Sequence, residues 1–172
     1  MARNVEIKAR VRDKAALIER ARALADGEPV EIDQDDTFFA CPHGRLKLRQ
    51  FSATRGELIF YRRPDAPGPK TSFYLISRTA EPAQLRELLT QASGIIGRVV
   101  KKRTLFKTGP TRIHIDEVVG LGTFVELEVV LSENATEAEG KTIAGDLMAR
   151  LGISADQLLD KAYLDLMPPT GA

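Results

Sequence analysis

Three cations stand at alternate positions in Arg45-Leu46-Lys47-Leu48-Arg49, and two carboxylates at alternate positions in Glu126-Leu127-Glu128. Side chains two apart on an extended chain share a face. The first segment therefore builds a strip of positive charge, and the second a place where two carboxylates converge. Glu6, Lys8 and Arg10 repeat the spacing, as do Lys101 with Arg103, and Arg112, His114 and Asp116, each with apolar residues on the other parity. With Arg63, the charged parity holds nine cations (Lys8, Arg10, Arg45, Lys47, Arg49, Arg63, Lys101, Arg103, Arg112) against four carboxylates (Glu6, Asp116, Glu126, Glu128), although the whole chain carries only +1. Arginine forks and lysine point charges suit phosphate oxygens. A few carboxylates acting with substrate phosphates suit a hard divalent cation, Mg2+ or Mn2+. Residue types alone thus imply a metal-dependent site for a polyphosphorylated small molecule. His114 shares that parity and is a candidate proton donor, phosphate contact or lining residue.

The elements that must position these groups read mostly as strands. Alternation and turn residues place them near 3–11, 30–39, 44–51, 56–63, 71–77, 97–107, 111–118 and 123–131. Helical spacing appears over 13–25 behind Asp13, over 82–92 behind Pro82, and over 137–151 behind the capping box Thr136/Glu139. A second box, Ser154/Gln157, predicts a short helix at 155–160. Three helices cannot cover both faces of so large an open antiparallel sheet. A curled sheet solves the problem, with its apolar parity outward beneath the helices and its charged parity inward. The expected fold class is α+β: an eight-stranded antiparallel β-barrel or tunnel with a charged interior and helices packed outside. About eight strands enclose a lumen just wide enough for side chains or one small ligand. Like charges repel there by about 4 kcal/mol per pair at 4 Å with an effective dielectric of 20. Counter-ions or an anionic ligand must balance them.

Composition removes other classes. The chain has 172 residues, with 25 Lys plus Arg against 24 Asp plus Glu, so it lacks the basic excess of a non-specific DNA binder. One cysteine, Cys41, and two histidines exclude an internal disulfide and a Cys/His zinc site. No run approaches 18 apolar residues, and Met1–Glu6 lacks the apolar core of a signal peptide. The expectation is a cytoplasmic protein without membrane or DNA partners, forming a single domain over 1–167 with a frayed tail at 168–172. Gly140-Lys141-Thr142 looks like the end of a phosphate-binding loop, but Ala135 occupies the first glycine position, so it reads as part of a capped helix. The phenylalanines Phe38, Phe39, Phe51, Phe60 and Phe73 read as packing residues.

In order along the chain, Asn4-Val5-Glu6-Ile7-Lys8, Gln34-Asp35-Asp36-Thr37-Phe38-Phe39, Arg45 to Arg49, Tyr61-Arg62-Arg63-Pro64 with Lys70, Lys101-Lys102-Arg103, and Asp116 through Glu128 resemble the CYTH family, the triphosphate tunnel metalloenzymes. The spacing is most similar to class IV adenylate cyclase-like bacterial proteins. The resemblance implies a tunnel open at both ends and a triphosphate substrate such as ATP, thiamine triphosphate or inorganic triphosphate. Carried over by position, Glu6, Asp116, Glu126 and Glu128 would bind Mg2+ or Mn2+. Lys8, Arg45, Lys47, Arg49, Arg63, Lys101 and Arg103 would grip the triphosphate, with Lys70 and Arg112 beside them and Lys8, Arg63 and Lys101 as candidate catalytic residues. The expected reaction is cyclisation of ATP to cAMP and pyrophosphate, or hydrolysis of a triphosphate. A homodimer is common among such proteins. Asn4 departs from the family's opening Glu-x-Glu-x-Lys and removes one carboxylate, which keeps open a non-catalytic nucleotide- or polyphosphate-binding tunnel. An RNA-binding sheet is a third reading, opposed by the absence of tryptophan and by carboxylates interleaved with the cations.

Overall fold

The computed structural model describes residues 2–64, 66 and 68–168. Eight strands form: β1 (Ala2–Arg10), β2 (Val30–Phe39), β3 (Arg45–Ser52), β4 (Arg55–Arg62), β5 (Lys70–Thr79), β6 (Ile95–Thr108), β7 (Thr111–Val118) and β8 (Gly122–Leu131). Every neighbouring pair is antiparallel, and the order β1-β5-β4-β3-β2-β6-β7-β8 closes on itself. Closure leaves no unpaired edge. The expected eight-stranded barrel with outer helices is the observed architecture.

Parity decides what faces where. Val5, Ile7 and Ala9 of β1, Ile113 and Ile115 of β7, and Val125, Leu127 and Val129 of β8 are buried on the outer wall. They meet Leu17 and Ala21 of α1 (Lys14–Leu24) and Ala144, Leu147 and Leu151 of α3 (Glu137–Leu151). Each fully buried Val, Leu or Ile contributes about 1.5–3 kcal/mol, so the apolar core that holds the barrel lies outside the ring. The interior is left to the other parity, where charged and polar side chains share the wall with Ile32, Phe38, Phe51, Ile59, Val99 and Leu105.

The helix ends follow the sequence signals. Asp13 Oδ1 accepts from the Ala16 amide at 3.0 Å, and Thr136 and Glu139 make both halves of their capping box. Gly140 lies in the first turns of α3, where a Cβ would come within 2.7 Å of Val5 and Leu131. Close packing of helix on barrel explains that glycine, and Gly140-Lys141-Thr142 is helix. The second helix, α2 (Pro82–Ser93), sits beside β2, β3 and β4, where Arg86 donates to Thr37 Oγ1 and Gln50 Oε1.

The C-terminal region differs from expectation. The Ser154/Gln157 box caps only a 3-10 turn at Ala155–Gln157, and a four-residue helix, α4 (Tyr163–Leu166), follows. Leu164 of α4 seats directly over Gly97, where a Cβ would collide with its Cδ1. Of the expected tail, residues 169–172 fall outside the described residues. No helix among the described residues is long and apolar enough to cross a membrane.

Candidate functional site

The interior is a cavity of about 260 Å3 lined from all eight strands by alternate residues and from the C-terminal segment by Ala162 and Tyr163. Its charged lining comprises Lys8, Lys47, Arg49, Arg63, Lys101, Arg103 and Arg112 against Glu6, Asp36, Glu57, Glu126 and Glu128. Seven cations against five carboxylates is a smaller excess than the alternation suggested, because Asp36 and Glu57 join the lining while Arg10, Arg45 and Asp116 do not.

Register stacks the groups of one wall in rungs. Glu6 of β1, Glu128 of β8 and Arg112 of β7 stand opposite one another, and the next rung sets Lys8 against Glu126 and His114. Lys8 Nζ lies 3.0 Å from Glu126 Oε1, and Arg63 Nη1 donates to Glu6 Oε2 at 3.3 Å. Arg103 donates to both Asp116 oxygens at 2.7 Å and to Glu126 Oε2 at 3.0 Å. Across the lumen, Asp36 accepts from Lys47 Nζ at 3.1 Å and from Arg49 Nε and Nη2 at 2.8 and 2.7 Å.

Burial sharpens the charges. It raises the Glu6 carboxyl to about 7, helped by the nearby Glu128 and Glu126 charges and opposed by Arg63. Burial and the like charge of Arg103 bring Lys101 down to about 7 against the pull of Asp116. Burial and Arg103 also lower His114, which favours neutral imidazole. Burial pushes Glu126 up, but the Lys8 and Arg103 charges overcome it and hold that carboxyl well below its usual range.

Several expected residues sit elsewhere. Arg10 is exposed and lies over the Phe124 ring at 5.2 Å, so it does not join the lumen. Arg45 Nη2 donates to Asp165 of α4 at 2.8 Å. Lys70 Nζ donates to the Ala66 and Asp160 carbonyls, each at 3.0 Å, and is not part of the cavity lining. Asp116 is fully buried with both oxygens engaged, Oδ1 and Oδ2 by Arg103 and Oδ2 also by the Tyr163 hydroxyl at 2.8 Å. Asp116 is thus a counter-ion set back from the cavity lining, whereas Glu126, which also accepts from Lys8 and Arg103, stands on that lining, so the metal role that the resemblance implied suits Glu126 better than Asp116.

Sequence reasoning gave no role to Asp36, Glu57 or Tyr61, all in the lining. For Tyr163, which follows the last expected helix, the sequence left open the closing of a tunnel mouth and a packed C-terminal strap. The Tyr163 ring in fact carries two cations, Lys8 Nζ at 4.0 Å and Lys101 Nζ at 4.8 Å from its centroid. The segment before it is tacked along the barrel: Leu159 N donates to the Lys8 carbonyl at 2.8 Å, and Leu158 bridges to Ala9.

Glu6, Glu126 and Glu128 form the acidic side of the lumen. Ligand atoms of His114, Glu126 and Glu128 all lie within 4.8 Å of one another. Crowded carboxylates beside a buried imidazole nitrogen that makes no hydrogen bond are a donor set in need of a cation, so these residues fit a divalent metal.

The model of the CYTH domain matches residues 2–163. A protein of Methanocaldococcus jannaschii that carries the name "putative adenylate cyclase" is 28% identical over 177 residues, covering 94% of this chain and 97% of that protein. The adenylate cyclase CyaB of Aeromonas hydrophila is 25% identical, with 94% and 87% covered. Among solved structures, the PH1012 protein of Pyrococcus horikoshii superposes with a TM-score of 0.84 at 22% identity, covering 96% of this chain and 99% of that one.

Proposed function

The chain belongs to the CYTH family, and from that premise we propose that it is a divalent-metal-dependent enzyme that displaces one part of a triphosphate by attack at phosphorus inside the barrel. ATP is the leading substrate, cyclised to cAMP and pyrophosphate, in keeping with the cyclase names of its relatives. The observation that carries the reading is the sharing of one closed lumen by seven cations and the Glu6, Glu126, Glu128 group.

Phosphoryl chemistry depends on positioning and on neutralising charge more than on covalent help. Lys47, Arg49, Arg103 and Arg112 come from β3, β6 and β7, so together they hold a polyphosphate chain from several sides. Arg49 and Arg103 bring planar forks whose orientation is already fixed by Asp36 and Asp116. Lys8 and Lys101 both lie over the Tyr163 ring and Arg63 sits beside Glu6, placing three donors near the acidic side, where charge accumulates on the departing phosphate. Glu6, Glu126 and Glu128 would hold Mg2+ or Mn2+, which supplies Lewis-acid neutralisation of phosphate oxygens when bound. The depressed carboxyl of Glu126 keeps it charged for that task throughout the neutral range.

The nucleophile sets the product. A ribose 3′-hydroxyl attacking the α-phosphorus gives the cyclic nucleotide and expels pyrophosphate, and water attacking the terminal phosphorus gives orthophosphate and expels the corresponding diphosphate. Incubating the purified chain with ATP, thiamine triphosphate and inorganic triphosphate under Mg2+ or Mn2+ distinguishes them. The expected result is cAMP with pyrophosphate from ATP, lost in Glu126→Ala and Glu128→Ala. Orthophosphate alone assigns hydrolysis. No turnover of any of the three rejects the enzyme and leaves a polyphosphate-binding tunnel.

A further inference from the structure

We propose that His114 supplies a nitrogen ligand to the divalent ion of this tunnel, beside Glu126 and Glu128, and that the site consequently takes a first-row transition ion such as Mn2+ in preference to Mg2+. The inference rests on the metal-dependent reading above and names a donor on β7 that this reading did not use.

Geometry supports it first. His114 Nδ1 lies 3.9 Å from Glu126 Oε2 and 3.9 Å from Glu128 Oε1. Two donors each about 2.1 Å from a common ion lie at most about 4.2 Å apart, so each of these separations fits one ion, and a small closing of the three-residue group, which spans up to 4.8 Å, brings all three onto it. At 3.9 Å neither imidazole tautomer makes a hydrogen bond to either carboxylate.

The second observation is an unpartnered atom. His114 is 4% exposed, and its Nδ1 is buried without a hydrogen-bond partner. Leaving such an atom unsatisfied costs about 1–3 kcal/mol. Its nearest polar neighbours, two carboxylates, can only accept. Glu126 also accepts from Arg103 and Lys8, but His114 Nδ1 has no partner, and a cation shared with the two carboxylates would satisfy it.

Third, the competing oxygen is spent. Asp116, two residues along β7, is held by Arg103 and the Tyr163 hydroxyl and cannot reach the acidic group without breaking a buried ion pair. Asn4, where the family's signature has glutamate, brings only a neutral amide. The nitrogen replaces a missing carboxylate, and nitrogen donors favour transition ions over Mg2+.

The test is pulsed electron paramagnetic resonance of the whole chain loaded with MnCl2 alone, which detects a 14N nucleus bonded to Mn2+ without any turnover. Nitrogen coupling is expected in the wild type and in Asp116→Asn, and is lost in His114→Gln. Calorimetric Mn2+ affinity is expected to fall on the order of 10- to 100-fold in His114→Gln, with a smaller loss for Mg2+. Mn2+ bound without nitrogen coupling in the wild type overturns the proposal with no variant needed. Coupling that survives in His114→Gln, or no Mn2+ binding at all, also overturns it. Loss of coupling in a folded Asp116→Asn overturns the exclusion of Asp116. Turnover by a Mn2+ form without nitrogen coupling sinks this inference alone, and coupling without turnover sinks the enzyme reading alone.

Discussion

Arg103 holds Asp116 in a two-point grip, Nε to Oδ1 and Nη2 to Oδ2, each 2.7 Å long, and both side chains are at least 96% buried. Breaking such a pair by removing one partner costs about 3–5 kcal/mol, because the other charge is stranded. Asp116→Ala is expected to lose about that much in urea unfolding. Asp116→Asn, which still offers one oxygen, is expected to lose less. Equal and negligible losses in the two variants would mean that the grip does not support the barrel.

Tyr163 adds to the same carboxylate through its hydroxyl and carries Lys8 and Lys101 on its ring. Tyr163→Phe keeps the ring and loses one hydrogen bond, for about 1–3 kcal/mol with a charged acceptor. Tyr163→Ala loses ring and cation contacts as well, and is expected to cost clearly more and to weaken tripolyphosphate binding. Thermal unfolding with and without tripolyphosphate measures both effects.

Glu6 predicts a pH signature for the metal-free protein. Its carboxyl is raised from 4.5 to about 7 on folding, so the folded chain binds more protons than the unfolded chain across that window. The stability this group contributes is fully present below 4.5 and is lost as pH rises through about 7. Glu6→Gln removes the loss, and is expected to gain on wild type between those limits by up to about 3 kcal/mol, then level off. Added Mn2+ reverses the order, stabilising wild type more than the variant. Melting temperatures from about pH 4 to pH 8 test this, and a constant difference across that range would refute it.

Asp36 grips Arg49 through two hydrogen bonds, and the proposed reading has Arg49 turn to a phosphate when the tunnel is filled. Burial pushes the Asp36 carboxyl up, but Arg49 and Lys47 overcome this and hold it far below the usual range. Arg49→Met is expected to lose stability and also to weaken tripolyphosphate about 10- to 100-fold, the worth of a charge-assisted hydrogen bond of 1.5–3 kcal/mol. Calorimetric titration at constant ionic strength reads the second effect. Unchanged affinity would remove Arg49 from the phosphate grip.

Much of the barrel was legible because parity is a local property: Arg45-Leu46-Lys47-Leu48-Arg49 states its two faces without reference to any partner. The capping boxes were legible for the same reason. Asp36 was obscured because β2 bears carboxylates on both faces, with Asp35 outward to Arg98 and Asp36 inward to Arg49. Tyr163 lies in a helix too short to show a period, and its partner Asp116 is 47 residues away. Asp116 itself had the right type and parity for a ligand, and only the distances to Arg103 and Tyr163 made it a counter-ion. Arg10 stood on the inward parity, yet at the last position of β1 its side chain is exposed over Phe124.

The seam of the ring joins residues 3–10 of the first strand to residues 124–131 of the last. A ribosome emits the first of these edges well before the second, so the nascent chain carries one edge of β1 unmatched until residue 131 has emerged, while β5 can already meet the other. The Lys8–Glu126 contact across the seam cannot exist in any shorter fragment, and neither can the acidic side of the lumen. Truncation before β8 therefore abolishes the site itself and leaves an open sheet with two sticky margins, prone to clump with its own kind.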